Sequence, residues 1–250
     1  MKKKITLLLL LSLNIISAQQ DEIDTDRPDQ TETPLTVPLN RFQFENGLTH
    51  SYEVSEDIRR FELPSTLWKY GVSSKLELRV ITTICYEKQP RESQGGLEPV
   101  VVGVKYKLWD EQGILPQASV IGQVLLPDLS AKSMKTDYPG PELRFLFRNT
   151  ISQEIDLGYN TSIEWDGEHT RALYDYTFSP SVRLANMLKA FVESYGFLKV
   201  GRHSEHWVDG GLMFLITKDI QLDVSGGYEI TTRHDHRHST FESIGFSFRI

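Results

Sequence analysis

Five histidines of this sequence are of a type, and at a spacing, that could support chemistry. Three of them stand at every second position, so on an extended chain their imidazoles would lie on one face, about 7 Å apart. Imidazole is a good ligand for zinc, copper, nickel and iron. With two further histidines they form a candidate metal site: His203, His206, His234, His236 and His238. Because charged residues flank the three alternating histidines, ordinary solvated loop residues are the alternative interpretation.

The sequence contains no convincing set of catalytic residues. Asp209 with His206, or Asp235 with His234, supplies the residue types of a hydrolase. However, Asp235 and His234 are adjacent and would point to opposite faces of an extended segment. The strings G-x-S-x-G and H-E-x-x-H are absent. We therefore predict no catalytic residues, no enzyme activity and no cofactor, and keep a hydrolase at the molecular rim as an alternative.

Short runs of alternating apolar and polar residues must position these side chains. In one run Ile220, Leu222 and Val224 alternate with Gln221 and Asp223, which is the period of a β-strand with one wet face. The alternation is weakest in the run 189–198. Twelve strands are predicted, at 42–52, 61–70, 75–86, 99–109, 115–126, 142–151, 155–165, 171–184, 189–198, 206–216, 220–230 and 241–250.

An even number of such strands predicts an all-β fold, a transmembrane antiparallel up-and-down β-barrel spanning 41–250. An open sheet edge in hydrocarbon would leave unpaired backbone groups, so the first strand must pair with the last. The terminal run, with Ile244, Phe246, Phe248 and Ile250 on one face, suits that seam. Tyr and Trp near the strand ends suit interfacial girdles, namely Tyr52, Trp68, Tyr70, Tyr86, Trp109, Trp165 and Trp207. A soluble β-sandwich or a lipocalin-like barrel is the alternative.

Residues 1–18 have the pattern of a secretory signal peptide. Three lysines precede the apolar run from Ile5 to Ile16, and cleavage is predicted before Gln19. The leader carries three lysines and no acidic residue, so its removal changes the formal net charge from −7 to −10. Such acidity argues against nucleic acid as a partner. Cys85 is the single cysteine, so no internal disulfide can form.

Residues 19–40 form a polar, proline-containing segment that cannot be a spanning strand. We expect it at the periplasmic mouth or in the lumen, where its charges can pair with lumen charges; a solvated linker is the alternative. Inward-facing residues of both charge signs predict a narrow or partly filled channel. The candidates for lining and gating the pore are Asp24, Asp26, Arg27, Asp29, Lys105, Arg144, Arg148, Asp156, Asp223 and Glu229.

Connections between the predicted strands alternate in length, which predicts an orientation. Short links near 71–74, 110–113, 152–154, 185–188 and 217–219 would face the periplasm. Longer ones at 53–60, 87–98, 127–141, 199–205 and 231–240 would face outward, and parity places the short link 166–170 with them. Both termini would then be periplasmic, in the outer membrane of a Gram-negative bacterium.

The polar segment also carries a family resemblance. The string from Asp24 to Pro34, T-D-R-P-D-Q-T-E-T-P after its first Asp, and the later F-Q-F-E-N-G at 42–47 resemble the start of the "putative MetA-pathway of phenol degradation" family. That resemblance implies an outer-membrane, transporter-like barrel, associated in some members with the catabolism of aromatic compounds.

Together these features predict a passive channel for small hydrophilic or amphipathic, including aromatic, solutes. Its expected partners are outer-membrane lipid, the solute and the barrel assembly machinery, and the oligomeric state is left open. A structural or adhesion barrel is the alternative in a different class.

Overall fold

The computed structural model describes residues 22–199, 203–231 and 238–250, so the predicted leader lies outside the described residues. Alternating sequences form strands throughout, and no helix of the described ranges is long and apolar enough to cross a membrane. The strands are β1 (Phe42–Glu53), β2 (Ile58–Gly71), β3 (Leu76–Lys88), β4 (Ser93–Leu97), β5 (Val100–Trp109), β6 (Gln117–Leu126), β7 (Gly140–Thr150), β8 (Ile155–Glu164), β9 (Leu173–Ala185), β10 (Leu188–Lys199), β11 (Glu205–Thr217), β12 (Ile220–Glu229) and β13 (Thr240–Arg249).

The sheet closes on itself as an antiparallel barrel. Each barrel strand pairs with its neighbours in chain order, and β1 pairs with both β2 and β13. At the seam Gln43 lies opposite Arg249 and Tyr52 lies opposite Thr240, so the pairing runs along the whole of β1. Closure leaves no open edge in hydrocarbon. The predicted twelve-strand barrel and the predicted seam are therefore confirmed.

The prediction of a plain loop over 87–98 is wrong, because β4 lies within it. β3 pairs with β5 from Leu76 to Ile81 and with β4 from Ile84 to Lys88. β4 and β5 thus occupy one position in the wall, interrupted at Glu98 and Pro99. Proline has no N–H to donate to the ladder, which explains the break. The barrel accordingly has twelve strand positions built from thirteen strands.

The two faces of the wall differ in polarity, as the alternation predicted. On β12 the side chains of Leu222 and Val224 are exposed on the outside, whereas Gln221, Asp223 and Ser225 are buried inside. An exposed apolar outer face suits lipid. β10 is the exception, because Phe191 and Tyr195 are buried on its inner face beside Glu193. These inward rings remove the contrast between the faces and explain the weak alternation of 189–198.

Two rims can be distinguished by their connections. The short-turn rim carries 72–75, 110–116, 151–154, 186–187 and 218–219, and the long-loop rim carries the other connections. The alternation in length is less regular than predicted. The β1–β2 connection on the long-loop rim is only 54–57, because both strands extend beyond their predicted ends, and 110–116 on the short-turn rim is longer than predicted.

Candidate functional site: the occupied lumen

Residues 22–40, the lumen segment from here on, enter and leave the barrel through the short-turn rim. At one end the Ile23 amide donates to the Lys218 carbonyl, 2.7 Å away, in the β11–β12 turn. At the other end Leu39 forms a bridge with Gly71 at the end of β2. Between these anchors the segment contacts side chains on strands all around the wall. It therefore occupies the interior rather than hanging below it.

Asp26 is the most heavily paired residue of the lumen segment. Its carboxylate lies 2.9 Å from Lys69 Nζ, 2.8 Å from Arg79 Nη1 and 3.0 Å from Lys105 Nζ. The three cations come from β2, β3 and β5, and all are buried. Glu45 and Glu77 lie in the same cluster, 2.5 Å from Lys69 and 3.3 Å from Arg79 respectively. The segment thus supplies a counter-ion that three neighbouring strands share.

Burial of so many charges is tolerable only because each has partners. Burial on its own would raise the pKa of Asp26, but Lys105, Lys69 and Arg79 together hold that pKa well below its ordinary value. Asp26 is therefore ionised at neutral pH. Removing one member of such a cluster leaves the others desolvated and unpaired, which typically costs about 3–5 kcal/mol for a buried pair.

Carboxylates of the wall also satisfy backbone amides of the lumen segment. Glu45 Oε2 accepts hydrogen bonds from the amides of Asp26 and Arg27, at 2.9 and 3.1 Å. Glu193 Oε2 accepts from the Gln30 amide at 2.7 Å, and Glu77 Oε2 accepts from the Val37 amide at 2.8 Å. Buried amides need such acceptors wherever the chain has no regular structure. The wall therefore fixes the backbone of the segment by hydrogen bonds and also pairs its charged side chains.

Arg27 binds the wall on the other side of β1. Its Nη2 donates to Asp223 Oδ1 at 3.0 Å on β12 and to Ser243 Oγ at 2.8 Å on β13. Glycines leave room for it: a Cβ at Gly47 would lie 2.0 Å from Arg27 Nη1, and one at Gly245 would lie 2.5 Å from Arg27 Nε. Any larger residue at either position would displace the guanidinium.

The remaining gating candidates divide into those that contact the lumen segment and those that do not. Asp24 accepts a hydrogen bond from Arg148 Nη1 at 2.9 Å. Arg144 instead pairs with two wall carboxylates, Glu142 at 2.6 Å and Asp175 at 2.9 Å. Asp156 lines a cavity beside the segment, whereas Glu229 ends β12 at the long-loop rim, where its carbonyl lies 2.7 Å from His238 Nδ1.

That cavity is the free space left beside the lumen segment near the short-turn rim. It measures about 80 Å³ and is lined by Asp24 and Arg148 together with Asp156, Lys189 and Gln221. A water needs roughly 10–15 Å³ of such space. The cavity is therefore large enough for several water molecules beside the segment.

Asp29 differs from Asp26, because no cation of the described residues forms an ion pair with its carboxylate. Its carboxylate accepts a hydrogen bond from Ser179 Oγ at 2.8 Å. Burial, followed by the charge of Glu193, raises the pKa of Asp29 well above its ordinary value. Asp209 adds to this effect. One side of the lumen segment is therefore matched by cations and the other faces carboxylates.

Five wall residues that bind the lumen segment were not among the gating candidates, namely Glu45, Lys69, Glu77, Arg79 and Glu193. Glu193 was missed because its strand alternates poorly, and Lys69 because a register shift between Glu62 and Ser65 interrupts the pattern of β2. Counting inward parity back from Gly71, the buried end of β2, would have placed Lys69 inside. Trp207 is corrected as well: it shares the inner face of β11 with Asp209, so it lies in the lumen and not in an interfacial girdle.

The histidines do not assemble into a metal site in the described ranges. His206 Nδ1 lies 2.9 Å from the Tyr176 hydroxyl, and His238 Nδ1 lies 2.7 Å from the Glu229 carbonyl. Within those ranges no three His, Cys, Asp or Glu side chains converge as metal ligands. His203 is exposed, and His234 and His236 lie outside the described residues. Asp209 and His206 lie on opposite faces of β11, so they do not form the hydrolase pair considered above.

Comparison with known proteins places the chain among outer-membrane barrels. The family model described as "Putative MetA-pathway of phenol degradation" matches residues 25–250. The COG4313 outer-membrane channel from Pseudomonas putida F1 has a similar fold, with a TM-score of 0.66 and 9% identity over 92% of this chain and 100% of that one. KdgM porin gives a TM-score of 0.56 at 9% identity, over 82% and 98% of the two chains. NanC porin gives 0.55 at 9% identity, over 82% and 100%. The chain matches no curated protein.

Proposed function

Since the chain belongs to the family described as "Putative MetA-pathway of phenol degradation", we propose that it is an outer-membrane channel for the passive passage of small hydrophilic or amphipathic solutes. One observation carries this proposal. The interior of the barrel is filled by a tethered polar segment, not by an apolar core, and wall side chains hold that segment through ion pairs and hydrogen bonds. Polar contacts of this kind can be exchanged for water when the segment leaves.

The lumen segment acts in this proposal as the gate. It occupies the short-turn half of the lumen, and both of its ends are fixed at the same rim. Displacement of its central part, residues 24–34, would uncover the buried charges of Lys69, Arg79 and Lys105 on one side and of Glu193 on the other. A twelve-strand barrel without its segment is wide enough for a small solute only, because barrel diameter grows with strand number.

The proposed orientation in the membrane follows from the arrangement of the two rims. The short-turn rim, with both termini, would face the periplasm, and the long-loop rim would face outward, as in bacterial barrels generally. Lipid would contact the exposed apolar outer face, and insertion would depend on the barrel assembly machinery. The solute would move down its own gradient, because an outer membrane offers no ATP.

Planar-bilayer recording of the purified mature chain tests the proposal. We expect small or rare conductance steps from the intact chain and larger, more frequent ones after deletion of residues 20–38, which removes nearly all of the lumen segment. Heat-dependent mobility on SDS gels, measured on both proteins, shows whether each barrel is folded. A folded deletion variant that conducts no ions would contradict the channel.

A further inference from the structure

One part of the lumen wall carries buried carboxylates without a counter-ion. Asp209 on β11 lies directly opposite Glu193 on β10. Asp209 is 9% exposed, its carboxylate has no cation, amide or hydroxyl partner in the described ranges, and the Glu193 carboxyl lies close enough to share a proton with it. Like charges in directly opposite positions are unfavourable in a sheet. Asp29 of the lumen segment adds a third carboxyl to the same region, since the charges of Glu193 and Asp209 both act on it.

Most lumen cations of the described residues are engaged elsewhere, and Lys189, which lines the cavity beside Asp29, acts on Asp24. Lys69, Arg79 and Lys105 bind Asp26 on the far side of the segment. Arg27 binds Asp223, and Arg144 binds Glu142 and Asp175. The acidic region is therefore short of positive charge within the described residues. An unpaired buried carboxylate must take up a proton or a cationic guest.

Aromatic rings line the wall next to this region, toward the long-loop rim. Tyr195 and Trp207 are two positions from Glu193 and Asp209 on the same inner face, and their rings stack with centroids 6.1 Å apart and planes 8° apart. Phe241 on β13 continues the row, with its centroid 6.2 Å from that of Trp207.

A glycine makes the approach of the carboxylate and the ring possible. A Cβ at Gly227 would lie 2.5 Å from Asp209 Cβ and 2.7 Å from Phe241 Cε1. Because Gly227 has no side chain, Asp209 and the Phe241 ring both lie against the bare backbone between them. The Asp209 side chain and the Phe241 ring are therefore neighbours in the lumen wall, beside the Tyr195–Trp207 pair.

This part of the lumen wall has the chemistry that recognises an organic ammonium group. A protonated amine donates a charge-assisted hydrogen bond to a carboxylate and is attracted electrostatically to ring faces. A bare metal ion is a poorer occupant, because no three potential ligands converge within the described ranges. We propose that Asp209, with Tyr195, Trp207 and Phe241, forms a lumen subsite for the ammonium group of an arylalkylamine. This inference rests on the proposed channel function, for which it names a solute class.

Titration calorimetry of the full mature chain in detergent, with 2-phenylethylammonium as the ligand, tests the subsite. We expect saturable binding that Asp209→Asn weakens by about tenfold or more. Trp207→Leu should weaken it severalfold through loss of a ring face. Asp128→Asn is the matched control, because Asp128 is an exposed loop carboxylate paired with Lys135, and it should leave binding unchanged. Neutral 2-phenylethanol, which has the same ring and a similar length, should bind at least about tenfold more weakly.

The outcomes separate this inference from the channel itself. Equal binding of the amine and the alcohol, or equal binding of the amine by the chain and by Asp209→Asn, would overturn the subsite, whatever the conductance. No saturable binding above that of protein-free micelles would overturn it too. Because calorimetry needs no ion flow, Asp209-dependent binding by a non-conducting barrel would support the subsite while contradicting the channel. Heat-dependent gel mobility checks that each variant is folded.

Discussion

At the scale of single residues, Asp26 and Arg27 are adjacent in the chain but bind strands on different sides of β1. Asp26 holds cations on β2, β3 and β5, whereas Arg27 holds Asp223 on β12 and Ser243 on β13. β1 lies between these groups and contributes Glu45, which binds the backbone amides of both residues. The dipeptide therefore ties the lumen segment across the β1–β13 seam.

Arg27→Ala is expected to loosen the lumen segment without unfolding the barrel. The substitution removes a charge-assisted hydrogen bond to a buried carboxylate, so the ratio of docked to released segment should fall by about tenfold or more. Open probability in planar bilayers, and antibiotic entry into cells, should rise accordingly. Lys135→Ala, which breaks only an exposed loop pair, is the control. Equal conductance in the wild type, Arg27→Ala and a deletion of residues 24–32 would show that the segment is only a linker.

The raised pKa of Asp29 predicts that docking of the lumen segment weakens as pH rises. Burial and the charge of Glu193 raise the pKa of Asp29 well above 3.8, so its protonated form is favoured in the docked state. The resulting stabilisation is complete below pH 3.8 and is lost as pH passes upward through the docked-state pKa. Asp26 has the opposite sign: its pKa is lowered, so its contribution is lost only in acid below 3.8.

Conductance measured between about pH 5 and about pH 8 checks this sign. Open probability should increase with pH, and Asp29→Asn should flatten the increase. Glu193 and Asp209 face the same carboxyl and will contribute a residual response, while Ser179 supplies an uncharged hydrogen bond. An unchanged pH profile in Asp29→Asn would show that Asp29 has no part in it.

At the scale of elements, glycines in the strands determine where the lumen segment can lie close to the barrel wall. Gly47 on β1 and Gly245 on β13 lie opposite each other at the seam, and both leave space for the Arg27 guanidinium. Gly158 on β8 leaves space for Thr31, since a Cβ there would lie 2.8 Å from the Thr31 methyl carbon. Glycine costs strand stability, so its presence inside strands marks close approach.

Gly47→Val is expected to release the lumen segment much as Arg27→Ala does. The new side chain would occupy the position of the guanidinium and break its contacts with Asp223 and Ser243. The matched control is Gly122→Val on β6, where a Cβ would meet nothing within 4 Å. Conductance should rise in the first variant and not in the second. If the mechanism is right, adding Arg27→Ala to Gly47→Val changes little further, and full additivity of the two effects would contradict it.

At the scale of the whole molecule, closure of the sheet is what makes the fold compatible with hydrocarbon. The β1–β13 pairing runs from Gln43 to Tyr52 and leaves neither strand with an open edge. Buried side chains are mostly polar and lie inside, while large apolar residues are exposed on the outside. This distribution is the inverse of a water-soluble domain and requires a lipid surround.

We expect the mature chain, beginning near Gln19, to fractionate with outer membranes and to migrate differently on SDS gels before and after boiling. The hydrogen-bonded barrel resists unfolding by detergent until heated, because each strand is paired on both sides. N-terminal sequencing of the purified protein checks the cleavage site. Recovery in the soluble periplasmic fraction, or mobility indifferent to boiling, would contradict membrane insertion.

The sequence by itself determined the barrel, its strands and its seam. The period of two in runs such as 155–165 and 220–230 is local, and it specifies which face meets water wherever a strand forms. Even the short string from Asp24 to Pro34 was enough to indicate the family, which the match over 25–250 confirms. β4 was not predicted because its sequence, SQGGL, has no alternating apolar face.

Only the tertiary structure decided which charges meet in the lumen. The partners of Asp26 are 43, 53 and 79 residues away in sequence, and the partner of Arg27 is 196 residues away. Alternation shows that a charged side chain points inward. It does not show the level along the barrel axis at which the side chain lies, or which side chains are its neighbours. Both depend on the register of the strands around the barrel and on the path of the lumen segment. For the same reason Asp26 is matched by three cations while Asp209, equally inward in the sequence pattern, has none among the residues that the structure describes.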